Sequence, residues 1–274
     1  TKMASRSLLG TAAVVTSAAT VAAAVAVVMT WRRRTSGKSK RVKTKSPSEW
    51  LSEVQEELYE SVLPFWMSHS YDNVLGGFVS CVGRDGTPYG TDKHTWLNGR
   101  AVWMTAEIAR HKSEAEIHSL SGGRLSRNSL LGASIKTADF LLRHAVRPDG
   151  QLWFCLTGDG LPVHLERKPF SAMFTCQGLG CLAEVLSQDS STSSQAEKYA
   201  NEARAMLDQI LSWAHDPTPL GRPSCAGATL TPWNVPMIAL SLLETMRPIL
   251  TDKAAHYEAE GAIYDDLIFF FPPT

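Results

Sequence analysis

GGFVSCVGRDGTPYGTDKHTWLNGRAVWM, residues 76–104, governs how the rest of the chain is read. It leaves a paired-glycine turn, alternates as a strand does, reverses at Arg84-Asp85-Gly86 and enters a helix at Trp96-Leu97-Asn98-Gly99-Arg100. That order places an indole, a carboxamide and a guanidinium where a tight loop delivers a helix. Groups of this kind hold a polyhydroxylated ligand by stacking and by directed hydrogen bonds. The competing reading buries Trp96 and Trp103 in a core and leaves Arg100 as a solvated rim charge.

Working outward, Ser46-Pro47-Ser48-Glu49 is a helix start, with Ser46 as cap, Pro47 at the first helical position and Glu49 closing a capping box. Apolar residues at Trp50, Leu51, Val54, Leu58, Val62, Phe65 and Trp66 follow helical periodicity. Further helices are expected from His94 to Lys112, and after a Ser/Gly-rich loop (Ser119 to Arg127) along Leu130, Leu131, Ile135, Ala138, Leu141 and Leu142. Three more are expected from Ser171 to Leu186, Gln195 to Ala214 and Asn234 to Leu250. Only Phe78 to Tyr89 and Gln151 to His164 alternate like hairpins.

The two hairpins are related. Arg84-Asp85-Gly86-Thr87-Pro88 falls on Gly158-Asp159-Gly160-Leu161-Pro162 at a shift of 74 residues, and Trp96 then falls on Phe170, each aromatic at a helix start. Helix, hairpin, helix at one period predicts an all-α ring of helical hairpins. In such a ring Trp96, Asn98, Arg100, Phe170 and Ser171 converge on one mouth, with binding groups carried near loops on a rigid scaffold.

The 274 residues, 44% hydrophobic, allow a substantial core in one large or two small domains. The net charge of zero hides an asymmetry. Residues 1–45 hold ten Lys or Arg and no acid, so the remainder carries 17 basic against 27 acidic residues and offers no footprint for nucleic acid. Cys81, Cys155, Cys176, Cys181 and Cys225 form an odd set without a C-x-x-C pair, which reads as free thiols with no metal site.

Residues 7–31 are 25 uncharged residues, rich in Ala and Val. They are long enough to cross a bilayer, where about 20 suffice. Arg32-Arg33-Arg34 and five further basic residues through Lys45 outweigh Lys2 and Arg6, which puts the following domain on the cytoplasmic side. An organelle transit peptide is the alternative. On either reading residues 1–45 are a tether or address and 46–274 the working domain.

The 76–104 block resembles the N-acylglucosamine 2-epimerase family, also called renin-binding proteins, which shows a Gly-Phe hairpin, an Arg-x-Gly turn and a Trp-Leu-Gln/Asn-Gly-Arg helix start. The resemblance continues at Phe140-Leu141-Leu142-Arg143, Phe170-Ser171, Leu220-Gly221-Arg222-Pro223 and Val235-Pro236-Met237, over about residues 48 to 260. It implies an (α/α)6 barrel, of which this chain holds about half, and interconversion of N-acetylglucosamine and N-acetylmannosamine by proton removal and return at C2. No cofactor is then required, and a nucleotide such as ATP is an activator in some members. By the same resemblance Arg100 is the pocket arginine that steadies the oxyanion. Trp96 stacks on the amino sugar, Asn98 and Ser171 meet its hydroxyls, and Phe170 closes an apolar wall.

Two departures accompany the resemblance. Ala172 stands where the family commonly has Glu, and the family's acid/base histidines belong to a carboxy-terminal half, so the sequence reads as a fragment. A non-catalytic sugar-binding or interaction protein, with homodimer formation as a way to cover its open helical faces, is therefore kept as the alternative. A glycoside hydrolase would need two carboxylates about 5–10 Å apart across one bond. Asp85 and Asp159 are explained by their turns, and Asp92 alone does not suffice.

Overall fold

The computed structural model describes residues 45–165, 167–216, 218–221 and 234–251, with isolated positions 258, 259 and 261. The expected membrane segment 7–31, Cys225 and Arg222-Pro223 lie outside the described residues. Contacts divide the chain into Thr1–Leu51 and Ser52–Thr274. In the first unit the described residues open a helix as expected: Glu49 N donates to Ser46 Oγ (3.3 Å) and Ser46 N to Glu49 Oε2 (2.7 Å).

That helix, α1 (Pro47–Glu56), continues through a π-helical stretch, Glu57–Val62, into α2 (Leu63–His69). The irregularity was not expected. It falls just ahead of Pro64, whose ring and missing N–H cannot support the regular helical ladder. No residue of α1 is buried, whereas Tyr59, Leu63 and Pro64 are.

The domain then repeats its pattern. β1 (Lys93–His94) leads into α3 (Thr95–His111), followed by a short α4 (Glu114–Leu120) and α5 (Arg127–His144). β2 (Cys155–Leu156) and β3 (Pro162–His164) precede α6 (Phe170–Ser187), α7 (Ser193–His215) and α8 (Asn234–Met246). The short strands form one antiparallel sheet in the order β1-β2-β3. The first expected hairpin is thus smaller than its alternation suggested. Between Phe78 and Tyr89 a single bridge, Val82↔Pro88, closes the Arg84–Gly86 turn, and the ladder forms instead at Lys93–His94. Pro88 lacks an N–H and glycines flank the turn, so this stretch cannot sustain a ladder.

The repeat runs deeper than the turn motif. Phe65 and His69 end α2 with rings 5.0 Å apart, and Phe140 and His144 end α5 with rings 4.9 Å apart. Gly86 and Gly160 have φ of 84° and 95°. A Cβ at Gly86 would fall into the His69 ring, and one at Gly160 into the His144 ring. Each outer helix therefore ends under the glycine of the following turn.

The bulk of the core lies among α3, α5, α6, α7 and α8, with α6 packed on α3, α7 and α8. α6 is long and apolar enough to cross a membrane, but 78% of it is buried inside the protein, as befits a central core helix. Glycines let α3 and α6 approach closely. A Cβ at Gly99 would lie 2.6 Å from the Phe174 carbonyl carbon and Thr175 N, and one at Gly178 would lie 2.6 Å from Gly99 O.

Lys93 ties the loops above this core. It is 1% exposed, and its Nζ donates to Asp72 Oδ2 (2.9 Å), Gly76 O (2.8 Å) and Gly158 O (2.7 Å), which uses all three donors. Burial alone would raise the Asp72 carboxyl pKa, but Lys93 and the backbone N–H groups of Leu75 and Val74 hold it below the ordinary range.

Candidate functional site

One face of α3 carries Trp96, Arg100, Trp103, Glu107 and Arg110 at spacings of three and four, one row along the helix, with Trp103 packed against the edge of the core. Beside it α6 presents Phe174 and Gln177, and α8 presents Ser241 and Thr245. With α5 and α7 behind, these three helices form a wall with strand-bearing loops at one end.

Arg100 is exposed near that end. Its guanidinium carbon lies 4.7 Å from the Phe174 ring centre and 5.8 Å from that of Trp96, whose rings are 6.2 Å apart and tilted by 44°. Among the described residues it makes no ion pair or hydrogen bond. A guanidinium in this state keeps five donors free for an oxygen-rich or anionic partner. At the loop end His94 and His164 stand edge-on to Phe154, at 5.2 and 5.7 Å, near the starts of α3 and α6.

Further along the wall, a cavity of about 340 Å³ is lined by Trp103, Glu107, Arg110, Gln177, Ser241 and Thr245, among others. Arg110 bridges Glu107 (2.6 Å) and Glu184 (2.7 Å), while Cys181 Sγ donates to Glu107 Oε2 (3.2 Å). Burial pushes the Glu107 pKa upward, but hydrogen bonds from Arg110 and Cys181 outweigh it and keep the carboxylate ionised below its ordinary range. Burial and the neighbouring Glu107 push the Cys181 thiol strongly upward, so it is no nucleophile at neutral pH. Gln177 Nε2 reaches Ser241 Oγ (3.3 Å) and Thr245 Oγ1 (3.2 Å). Among the described residues no three His, Cys, Asp or Glu side chains gather as a metal site.

The five residues expected at the mouth do not all reach it. Trp96 and Arg100 share the wall. Phe170 is half-buried against the main core with Lys168 Nζ 5.9 Å from its ring centre. Asn98 is corrected: it is fully buried, its Oδ1 accepts from Phe78 N (2.6 Å), and its Nδ2 donates to Phe78 O (3.1 Å) and His94 O (3.0 Å). Its carboxamide fastens the Gly-Phe turn to α3 and is closed to a ligand. Ser171 is buried too, at 3% exposed, and its Oγ has no hydrogen-bond partner among the described residues. Phe174 was overlooked, although its place one turn after Phe170 on α6 was the available signal.

Paired helices in an inner and outer layer, with strand-bearing loops at the ends of the inner helices, define part of a helical barrel, the fold found in solved sugar epimerases. Cellobiose 2-epimerase from Spirochaeta thermophila superposes with a TM-score of 0.58 at 19% identity, over 83% of this chain and 55% of that one. A D-mannose isomerase structure gives 0.54 at 15% identity, over 80% and 50%. In sequence the chain is similar to N-acylglucosamine 2-epimerase of Mus musculus, 40% identical over 201 residues, and of Homo sapiens, 36% identical over 216 residues. These matches take in 72% and 77% of this chain but only 43% and 46% of the relatives, so the chain spans less than half of their length. They support the resemblance to the N-acylglucosamine 2-epimerase family. No family model matches the chain.

Proposed function

We propose that this chain forms one wall of a sugar 2-epimerase, and that its substrate is an N-acylated hexosamine inverted at C2. The observation that carries the reading is Arg100, a permanent cation without a carboxylate partner among the described residues, its guanidinium set over two aromatic rings on the open face of the inner helices. A proton beside a carbonyl is removable once the charge growing on the carbonyl oxygen is stabilised. In the opened sugar a base takes the C2 proton and the C–H electron pair moves toward the carbonyl oxygen, which Arg100 meets with its N–H donors. Return of a proton to the other face of C2 restores the carbonyl with inverted configuration. Trp96 supplies the apolar plate for the sugar's C–H face. The two bases come from elsewhere on the ring. The N-acyl preference is supported by the named relatives at 36–40% identity.

The alternative is sugar binding without turnover, for which the same exposed arginine and aromatic rings would serve. Hydrogen exchange at C2 in deuterated water separates the two. The full gene product is offered N-acetylmannosamine, mannose or cellobiose in turn. Fastest exchange into N-acetylmannosamine is expected. Broadening of the sugar signals with no exchange in any of the three would replace the enzyme by a binding protein.

A further inference from the structure

We infer that Phe174 is a positioning residue that holds the Arg100 guanidinium on the barrel wall with its donor edges free, an inference that rests on the role proposed for Arg100. Nearly every residue from Ser171 to Leu186 is buried, yet Phe174 is only half-buried. It belongs to neither hydrophobic core of the domain, and Trp96 is likewise outside both. A large apolar side chain spared from the core of a central helix has another task, and its ring faces a cation. The Arg100 carbon is 4.7 Å from its centre, closer than to Trp96 at 5.8 Å.

The chemistry explains why a ring is suited to this place. A carboxylate would fix an arginine too, but it would occupy the fork of N–H donors and cancel the charge. The negative face of an aromatic ring attracts the flat side of the guanidinium and leaves all in-plane N–H groups available. Arg110, nearly three turns further along the same row of α3, shows the contrast: Glu107 and Glu184 hold it by its donors, as a structural bridge. The same helix thus carries one arginine that is neutralised and one whose guanidinium carbon lies over aromatic rings, with no carboxylate on it among the described residues. The backbone supports the arrangement, because the Gly99 contact lies against Phe174 itself and fixes the distance between the two helices at this level.

Proton NMR of the full chain tests the inference. A guanidinium stacked on a ring shows its Arg100 side-chain resonances shifted upfield by the ring current. Phe174→Leu keeps an apolar side chain and removes the π face. It should abolish most of that shift and lower C2 exchange into N-acetylmannosamine about two- to fivefold, in line with the strength of an exposed cation–π contact. Phe174→Tyr should restore both, and Phe154→Leu, which removes a ring beside the histidines, should change neither the shift nor the circular dichroism spectrum. An unshifted Arg100 in the parent chain, or a shift that persists in Phe174→Leu, overturns the positioning role. Loss of the shift with exchange or sugar affinity unchanged overturns it also. An Arg100→Ala protein that exchanges like the parent instead removes the role of Arg100, while the shift still reports whether the stack exists.

Discussion

Replacing Gly99 by alanine tests how the site is built. Within a helix alanine is favoured over glycine by about 1 kcal/mol, so an unobstructed position gains stability. At Gly99 the added carbon lies 2.6 Å from main-chain atoms of Phe174 and Thr175. Carbon contacts settle at about 3.5–4.0 Å, so α3 and α6 must separate by roughly 1 Å. No side chain can rotate aside, because the obstacle is backbone. Overpacking of this kind costs about 1–3 kcal/mol, and the upper end applies here, leaving a net loss of about 2 kcal/mol after the propensity gain. Gly132 on α5 is the control, since nothing lies within 4 Å of a Cβ there. Gly132→Ala should therefore stabilise by up to about 1 kcal/mol. Thermal unfolding followed by circular dichroism should show Tm lower by about 4–8 °C for the first variant and higher by about 2–4 °C for the second. Equal or parallel shifts in the two variants would refute the close helix approach.

Other perturbations have equally definite outcomes. Lys93→Met removes the side chain that satisfies Asp72 Oδ2, Gly76 O and Gly158 O together, and should cost about 3–5 kcal/mol in urea unfolding, where a loss under 1 kcal/mol would contradict the knot. Glu116 accepts from Ser113 N and Oγ and pairs with Lys112, and these contacts depress its pKa from 4.5 to about 2 in the folded state. Because the folded-state value is the lower one, its contribution is complete above about pH 4.5 and disappears as pH falls toward 2. Stability of Glu116→Gln should accordingly converge on that of the parent across this window. A difference that stays constant from neutral pH to pH 2 would show that the charge is not what caps α4.

Local signals in the sequence were reliable where the structure is local. Ser46 and Glu49 form the box that their spacing predicts, and the helices after it start and end within a few residues of their expected limits. The repeat was legible from Asp85-Gly86 and Asp159-Gly160 but only in part. His69 and His144 are 75 residues apart while Gly86 and Gly160 are 74 apart, so a search at one fixed period separates each histidine from its glycine. α4 escaped notice because seven residues with Ile117 and Leu120 as their apolar members carry little periodicity; Ser113 and Glu116 were the signal.

The site was harder to read, for a physical reason. Sequence gives the type of a polar group and not whether its hydrogen bonds are already used. Asn98 and Arg100 are neighbours in one motif, yet the backbone of Phe78 and His94 engages every polar atom of the first, while the second lies beside aromatic rings and makes no hydrogen bond among the described residues. Ser171 stands at the start of α6 as expected, but its side chain is buried there. Phe174 follows Phe170 by one turn, which marked its face of α6, but its contact with a residue 74 positions earlier is not a local pattern.

Exchange of the C2 hydrogen of N-acetylmannosamine in deuterated water, compared between the full gene product and its Arg100→Ala variant, bears most directly on the central claim. Removing a preorganised donor to an oxyanion lowers rates by about 10²–10³, and a loss of that order is predicted, with circular dichroism and thermal stability unchanged. An alanine variant that exchanges hydrogen at the parent rate would contradict the account.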